Sequence, residues 1–247
     1  MDFSPAMITA LRQASHIAVL TGAGISAESQ IPTFRESHTG LYAKYNPQEL
    51  ASPEGFRKDP KLVWEWYAWR RSMVTKAEPN PGHKALVDME KHAKNFTLIT
   101  QNVDGLHIRA GSKNVLELHG NLMKTRCSQE NTLVTEWEDD KTIPPKCPTC
   151  GAFLRPDVVW FGEKLPTIPL QKATLAATSC QVFLSIGTST IVEPAASLPF
   201  LALHQGADVI EVNPEPTPLS KQVAFTLRGA AGIILPELVQ AAWGLGG

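Results

Sequence analysis

The sequence predicts an α/β protein with a doubly wound parallel sheet and a smaller inserted domain. Short apolar runs recur along the chain, and they lack the polar alternation that marks a strand with one face in water. Helical stretches lie between these runs, as expected when helices cover both faces of a sheet. Residues 36–79 and 122–158 interrupt this alternation, and we assign both segments to the smaller domain.

The predicted strands follow the apolar runs in chain order. They are IAVL (17–20), FTLIT (96–100), VLEL (115–118), VFLSI (182–186) and DVIEV (208–212). The predicted helices beside them are SPAMITALRQA, PGHKALVDMEKHA and PAASLPFLALHQ. These elements assign residues 1–35, 80–121 and 159–247 to the larger domain, and DPKLVWEWYAWRRSM predicts a helix in the first inserted segment.

The composition excludes several classes of function. The chain has 247 residues, 43% of them hydrophobic, and a formal net charge of −1, which is typical of a globular protein with a sizeable core. Because there is no basic excess, we expect no nucleic-acid partner. Because no apolar run is long enough to span a bilayer, we expect no membrane partner. The first residues lack the layout of a signal peptide, so we expect a soluble cytoplasmic protein, and a monomer because no large apolar patch is evident.

A glycine-rich stretch, TGAGISAESQIPTFR, follows the first predicted strand. Gly22, Gly24 and Ala27 match the pattern G-x-G-x-x-[GA], in which the first glycine permits a tight turn and the second lets the backbone approach a pyrophosphate. The small third residue allows close packing of the segment that follows. The acidic residue that a dehydrogenase would carry about 20 positions later is not evident. Instead the stretch ends in Phe34 and Arg35, in a loop suited to close over a ligand.

Polar residues also follow the other predicted strands. Gln101, Asn102 and Asp104 offer amide and carboxylate groups that suit a carboxamide and ribose hydroxyls, and Asn213 suits a ribose. His119 follows a strand where it can act as a base near neutral pH. Each of these residues alone is equally explained by an ordinary turn. Together they predict a ligand crevice, because the carboxyl ends of parallel strands meet at one edge of a sheet.

Six motifs of this chain together resemble the sirtuin family of NAD-dependent protein-lysine deacylases in their order and spacing. They are GAGISAESQIPTFR, TQNVDGLH, LHGN, LRPDVVWFGE, GTS and VNPE. The resemblance extends from about residue 15 to the C-terminus. It implies a large Rossmann-type domain that binds NAD, a small domain that binds zinc, and a cleft between them for acylated-lysine proteins or peptides.

The resemblance also implies which residues contact NAD. They are Gly22, Ala23, Gly24, Ser26, Ala27, Phe34, Arg35, Gln101, Asn102, Val103, Asp104, Gly187, Thr188, Ser189, Asn213, Pro214, Glu215 and Ala231. By this resemblance the loop after the glycine turn becomes ordered around the nicotinamide end of NAD. Phe34 then shields the reactive ribose from water, which would otherwise hydrolyse it.

In the chemistry that the resemblance implies, the acyl-lysine amide oxygen attacks the anomeric carbon as nicotinamide leaves. Asn102 and Asp104 hold the carboxamide and ribose in a reactive pose. His119 takes a proton from a ribose hydroxyl, whose oxygen attacks the acyl carbon to give free lysine and O-acyl-ADP-ribose.

The motif VVWFGE is the implied binding site for the substrate backbone, and its residues are Val159, Trp160, Phe161, Gly162 and Glu163. We expect an exposed strand edge there, which can pair with an extended peptide. An ordinary buried strand is the alternative.

Tyr67 and Arg70 have the spacing Y-x-x-R, which places them on one face of a predicted helix. A tyrosine hydroxyl and a guanidinium that converge in a pocket suit a carboxylate. In this the chain resembles the class III sirtuins, which remove succinyl, malonyl and glutaryl groups. Our hypothesis is that negatively charged acyl-lysine is a good substrate, with deacetylation also possible. The alternative is a solvated arginine beside a packed tyrosine.

The zinc site departs from the family pattern of two C-x-x-C pairs. Cys147 and Cys150 form the second pair, whereas the first is CSQE, with Cys127 followed by Glu130. A carboxylate can bind zinc at about 2.0–2.2 Å, so three cysteines and Glu130 can form a site. A water molecule or another side chain as the fourth ligand, and loss of the metal, are the alternatives. A second departure is Gln30, at a position where the family usually has glycine.

Two other functions remain open from the sequence. A mono-ADP-ribosyltransferase would move the sugar of NAD to a protein side chain, and a non-catalytic module would only sense NAD. The His119 motif and VVWFGE favour deacylation over both.

Overall fold

The computed structural model describes residues 2–31, 46–138 and 141–244. Its larger sheet has six parallel strands, which are β1 (Ile17–Thr21), β2 (Phe96–Thr100), β3 (Val115–Glu117), β6 (Val182–Ile186), β7 (Asp208–Val212) and β8 (Phe225–Leu227). Their spatial order is β3-β2-β1-β6-β7-β8. Counted within this sheet alone, that order is 3-2-1-4-5-6, as in Rossmann-type dinucleotide-binding folds. The predicted α/β class and doubly wound parallel sheet are thereby confirmed.

The α-helices of the described residues are labelled α1 to α9 in chain order. They are α1 (Pro5–Gln13), α2 (Pro47–Leu50), α3 (Pro53–Lys58), α4 (Pro60–Lys76), α5 (Pro81–His92), α6 (Leu106–Ala110), α7 (Thr167–Ser179), α8 (Leu198–His204) and α9 (Ala231–Trp243). Two shorter segments, Ala23–Ser29 and Ala195–Ser197, are 3-10 helices. None of the helices in the described part of the chain combines the length and apolar character needed to cross a membrane.

Both faces of the larger sheet are buried. In β1, Ile17 and Val19 lie in a core that includes residues of α1, α5 and α9. Ala18 and Leu20 lie in a second core with residues of α7 and α8. Because successive strand residues point to opposite faces and helices cover both, every residue of β1 is buried. This arrangement explains why the apolar runs show no polar alternation.

The five predicted strands are all present, with small differences in their ends. β1 extends to Thr21, and β3 ends at Glu117 rather than at residue 118. The predicted helix over 194–205 is divided into a 3-10 turn and α8. β8 was not predicted from the sequence, because it has only three residues and its two apolar side chains are only partly buried.

A second sheet and three helices lie outside this Rossmann-type arrangement. β4 (Gly120–Cys127) and β5 (Leu154–Val158) form an antiparallel pair. α2, α3 and α4 contribute to a separate apolar cluster that also includes Leu122 and Trp160. β4 begins at Gly120, just before the predicted domain boundary, and the division into two domains stays a prediction.

Candidate active site

The glycine-rich turn lies at the point where the strand order reverses, between β1 and β6. Gly24 N donates to Gly187 O at 2.8 Å, and Gly22 N donates to Ile186 O at 3.0 Å. A Cβ atom on Gly24 would lie 2.7 Å from Gly187 Cα, and one on Gly22 would lie 2.8 Å from Thr188 Cβ. Gly22 has an extended backbone with φ of −123°, and its carbonyl oxygen accepts a hydrogen bond from Ile25 N at 3.2 Å, so the chain turns directly after β1. Glycine is required at both positions because the segments that follow β1 and β6 are in direct contact.

The 3-10 helix Ala23–Ser29 follows the glycine turn. Its Ala27 is exposed and its Ser26 is buried. Glu28 Oε2 accepts a hydrogen bond from Gly232 N at 2.7 Å, which joins this segment to the first turn of α9. Gln30 ends the helix in the left-handed region with φ of 59°, a conformation that glycine adopts with less strain.

Two of the predicted NAD contacts, Phe34 and Arg35, lie outside the described residues. Their roles stay predictions.

Asn102, Ser26 and Asp104 form the polar floor of the crevice. Asn102 Nδ2 donates to Gly22 O at 3.1 Å and to Ser26 Oγ at 3.2 Å, which leaves Oδ1 of this amide to accept from a ligand. Ser26 Oγ donates to Asp104 Oδ2 at 2.8 Å, and Leu106 N donates to Oδ1 at 2.9 Å. Burial raises the pKa of Asp104, while the hydrogen bonds from Leu106 and Ser26 lower it. The amide orientation is therefore set before a ligand binds.

A layer of two buried histidines lies beneath this floor. Thr21 Oγ1 donates to Thr100 Oγ1 at 2.8 Å, so the bond between Thr21 Oγ1 and His107 Nε2, at 2.9 Å, has the histidine as donor. Thr100 Oγ1 also accepts from the backbone N–H of Asn102 at 3.0 Å. Burial lowers the pKa of His107 to about 3 and that of His83 to about 4, so both rings are neutral. This layer was not predicted from the sequence, although the DGLH motif contains one of the histidines.

His119 lies just after β3, as predicted. Its Nδ1 is 2.9 Å from Gln101 O. A carbonyl oxygen can only accept, so Nδ1 carries the hydrogen and Nε2 keeps a lone pair. Burial lowers the pKa of His119 despite the opposing effect of the Gln101 carbonyl. The ring is therefore neutral at pH 7, with Nε2 able to take a proton.

The other side of the crevice joins three strand exits through Thr188. Gln101 Nε2 donates to Thr188 Oγ1 at 2.9 Å, and Asn213 Nδ2 donates to Thr188 O at 3.0 Å. The remaining predicted contacts differ in exposure: Ala23, Pro214 and Glu215 are exposed, Val103 and Ser189 are intermediate, and Ala231 is buried. These roles in NAD binding stay predictions.

The motif VVWFGE does not form the expected strand. β5 ends at Val158, and the next five residues form a turn in which Phe161 and Gly162 are exposed. Val159 N donates to His119 O and Phe161 N donates to Ala51 O, both at 2.9 Å. These N–H groups are thus used within the protein, and Gly162 has φ of 87°, which interrupts an extended chain. The prediction of a strand edge there is wrong, while the substrate role stays a prediction.

Arg155 holds this turn in place. Its guanidinium donates to both carboxylate oxygens of Glu163, at 2.6 and 2.9 Å, and to Val158 O at 2.8 Å. The same group lies 3.3 Å from the centroid of the Trp160 ring. Although burial raises the pKa of Glu163, hydrogen bonds from Arg155 and Trp160 N lower it below its usual value. The carboxylate therefore stays ionised and the turn stays closed.

Tyr67 and Arg70 lie on α4, and Tyr67 contacts this turn through Trp160. Tyr67 is buried, and its hydroxyl accepts from Trp160 Nε1 at 3.0 Å. The Arg70 guanidinium lies 5.1 Å from the centroid of the Trp66 ring and 6.0 Å from that of Tyr67. Burial lowers the pKa of Arg70, and the charge of Asp104 opposes this effect. The guanidinium is thus close enough to the crevice to interact with its carboxylate.

The predicted metal ligands come together in the smaller part of the molecule. One ligand atom from each of Cys127, Glu130, Cys147 and Cys150 lies within 4.8 Å of all the others. Donor atoms around a tetrahedral zinc ion lie about 3.3–3.8 Å apart, so small side-chain movements would complete the site. Glu130 N also donates to Cys127 Sγ at 3.4 Å. The residues present therefore fit a zinc ion with three thiolates and one carboxylate.

Comparisons with known proteins agree with this geometry. Residues 22–194 match the family model described as the Sir2 family. A protein of Methylococcus capsulatus named NAD-dependent protein deacylase is 49% identical over 98% of this chain and 98% of its own length. One of Aquifex aeolicus with the same name is 57% identical over 83% of this chain and 86% of its own length.

Solved structures extend the similarity to the whole fold. The crystal structure of a Sir2 homologue in complex with NAD has a TM-score of 0.90 and 46% identity, and covers 98% of this chain and 94% of that one. A mutant Sir2 homologue in complex with 2′-O-acetyl-ADP-ribose has a TM-score of 0.89 and 46% identity, with 97% and 96% covered. A Sir2 structure with a p53 peptide and NAD has a TM-score of 0.85 and 29% identity, with 97% and 98% covered. This chain belongs to the Sir2 family.

Proposed function

We propose that this chain is an NAD-dependent protein-lysine deacylase, which releases nicotinamide and O-acyl-ADP-ribose. The observation that carries the proposal is the arrangement of His119. A backbone carbonyl fixes its hydrogen on Nδ1, and Nε2 is left as a base at the edge that also presents Asn102 and Asp104. Support also comes from the relatives named NAD-dependent protein deacylase and from the homologue solved with 2′-O-acetyl-ADP-ribose.

The residues of the crevice have different roles in this reaction. NAD supplies the ADP-ribosyl group that receives the acyl group. Because Gly22 and Gly24 have no side chains, the glycine turn packs directly against Gly187 and Thr188, which brings two strand exits together at the edge where we expect the phosphates of NAD. Asn102 Oδ1 accepts from the bound ligand, because both amide hydrogens are used within the protein. His119 Nε2 takes the proton from a ribose hydroxyl, a role worth about 10²–10⁴-fold in rate.

The test is incubation of one acetyl-lysine peptide with NAD, followed by mass spectrometry of all products. We expect free lysine peptide, nicotinamide and O-acetyl-ADP-ribose in equal amounts. A peptide that carries ADP-ribose would favour the ADP-ribosyltransferase instead. Binding of NAD without consumption of an acyl peptide would favour the sensing module.

We further propose that carboxylated acyl groups, succinyl and malonyl, are preferred over acetyl, as in class III sirtuins. Tyr67 and Arg70 support this, since a neutral hydroxyl and a guanidinium lie together on α4 beside the crevice. Burial raises the pKa of Tyr67 to about 12, so the hydroxyl keeps its hydrogen at neutral pH. A carboxylate can accept from both groups.

The same peptide in succinyl and acetyl forms tests this preference. Hydrogen bonds to charged groups are worth about 1.5–3 kcal/mol, so Arg70→Met should lower the succinyl-to-acetyl ratio of kcat/KM by about 10- to 100-fold. Arg71→Met is the matched control, because the Arg71 guanidinium binds Leu122 O and Thr125 instead. Equal losses on both peptides in Arg70→Met would contradict the assignment.

We also propose that Cys127, Glu130, Cys147 and Cys150 hold a structural zinc ion, within a small domain of residues 36–79 and 122–158. Elemental analysis of protein purified without added zinc should give about one zinc per chain. A value well below one would count against the site. A cytoplasmic location, a monomeric state and the lack of a nucleic-acid partner stay predictions from the sequence.

A further inference from the structure

We propose that Trp160 is a positioning residue for acyl specificity, because it fixes the hydroxyl of Tyr67 for hydrogen bonding to a carboxylated acyl group. This inference rests on the proposed preference for succinyl and malonyl groups. It concerns a different step, namely how the direction of the Tyr67 O–H bond is set.

The hydrogen bond between the two side chains has only one possible direction. An indole nitrogen can donate but cannot accept. Trp160 Nε1 therefore donates to the Tyr67 hydroxyl oxygen across 3.0 Å. The hydroxyl hydrogen of Tyr67 is not used in this bond, and no hydrogen bond within the described residues takes it. It remains for an acceptor on the substrate.

The indole is itself held on several sides. Trp160 is 3% exposed, and its backbone N–H donates to Glu163 Oε2 at 2.8 Å. The Arg155 guanidinium covers its ring at 3.3 Å from the centroid, and the Phe56 ring lies 5.2 Å away, tilted by 44°. The ring cannot turn without loss of these contacts, so the direction of its N–H bond is fixed.

The ion pair of Arg155 and Glu163 is the base of this arrangement. Both carboxylate oxygens accept from the guanidinium, and one also accepts from the backbone of Trp160. Two parallel N–H···O bonds set the angle of the guanidinium plane. A charge pair in the turn thus orients the indole, and the indole orients the phenol.

Only a substrate with an acceptor at the end of its acyl chain uses the last of these hydrogen bonds. A succinyl or malonyl group carries a carboxylate that can accept from Tyr67. An acetyl group ends in a methyl group and has no such acceptor. Loss of the Trp160 N–H should therefore affect the succinyl-to-acetyl ratio, beyond any general effect on the turn.

The test compares Trp160→Phe, Tyr67→Phe and the double variant on one peptide in both acyl forms. Trp160→Phe should lower both activities, since its ring lies in the turn, and should also lower the succinyl-to-acetyl ratio of kcat/KM by about 2- to 10-fold, as for loss of a neutral hydrogen bond. Tyr67→Phe should lower this ratio at least as much. The double variant should fall no further than Tyr67→Phe, because Trp160 acts through that hydroxyl.

A second variant at position 160 distinguishes loss of the indole N–H group from a general loss of structure. Benzothienylalanine at position 160, introduced by site-specific incorporation, keeps both rings and replaces only the N–H group. It should lower the ratio as Trp160→Phe does, with an unfolding temperature close to that of the wild type.

The outcomes separate this inference from the proposed function. If Tyr67→Phe lowers the ratio while both changes at position 160 leave it unaltered, the inference is overturned and the acyl preference stands. A double variant whose ratio falls by the product of the two single effects would also overturn it. If the wild type shows no succinyl preference and Tyr67→Phe leaves the ratio unchanged, the carboxylate assignment fails, and the role of Trp160 fails with it.

Discussion

The crevice at the sheet edge and the side-chain cluster of Tyr67, Arg155 and Trp160 hold their polar groups in different ways. In the crevice, polar groups from neighbouring strand exits bind one another, as Asn102 binds Ser26 and Gly22 O. In the side-chain cluster, the buried charge of Arg155 holds Trp160, which in turn binds Tyr67. The first arrangement depends on strand register, and the second depends on side chains that pack across separate elements.

This difference predicts which substitutions should affect only the chemistry and which should also affect stability. A side chain in the crevice lies on a backbone that the parallel sheet fixes, so its removal should abolish chemistry with little effect on folding. A side chain in the cluster of Tyr67, Arg155 and Trp160 also supports its neighbours, so its removal should affect stability and specificity together.

The largest effect is expected for His119→Ala, which removes the proposed base. Deacylation should fall by about 10²–10⁴-fold in kcat. The free energy of unfolding should change little, since the one hydrogen bond that the side chain makes within the described residues is to Gln101 O. Steady-state kinetics and urea unfolding measure the two quantities. His204→Ala, an exposed histidine of α8, is the control, and a loss of stability that explains the loss of rate would break the comparison.

The second-largest effect is expected for Arg155→Met, which should lower the stability of the protein. Arg155→Met leaves the Glu163 carboxylate without its partner and removes the charge over Trp160. Removal of one member of a buried ion pair costs about 3–5 kcal/mol, and we expect the lower end because Glu163 is partly exposed. Urea unfolding should show this loss. Lys61→Met, which breaks an exposed pair with Glu65, should cost well under about 1 kcal/mol.

A third prediction concerns the histidine layer under the crevice. The pKa is lowered from 6.5 to about 4 in His83 and to about 3 in His107, in both cases first by burial. The unfolded chain thus binds more protons than the folded one below about pH 6.5, and stability that is present above this pH is lost as the pH falls towards these values.

Unfolding curves between pH 7 and pH 4 check this pH dependence. His107→Gln should be less stable at neutral pH but should lose less stability on acidification than the wild type. A slope that is the same in both proteins would contradict the assignment of neutral histidines.

The smallest effect is expected at the metal cluster. Glu130→Gln removes one charged ligand and leaves three thiolates, so the affinity for zinc should fall by about tenfold, while Glu130→Cys should raise it. Competition with a chromogenic chelator measures both changes. Glu136→Gln, an exposed acid in the same segment, should bind zinc as the wild type does. Equal affinities in all four proteins would exclude Glu130 as a ligand.

The sheet and its edge could be predicted because local patterns determine them. Runs of apolar residues gave the strands, and polar residues directly after each run lie at the crevice, as His119 and Asn102 show. Parallel topology brings such residues together without any need to know their side-chain contacts.

The remaining features depend on contacts between residues far apart in the chain. VVWFGE has the composition of a strand, yet Gly162 adopts a left-handed conformation and Arg155 closes the turn onto Glu163. His83 reaches the crevice only because α5 packs beneath it, and α5 carries no motif that indicates this. The bond between Trp160 and Tyr67 joins two segments that sequence analysis could only treat separately.

The strand order has a consequence for how the protein is made. β1 lies inside the sheet, where it pairs with β2 on one side and with β6 on the other. β6 begins only at Val182. The 3-10 helix after the glycine turn is joined by Glu28 to Gly232, which lies 204 positions later in the chain. During synthesis on the ribosome the first strand therefore emerges long before its partners. The nascent chain cannot close this crevice until the segment that carries Gly232 has also emerged.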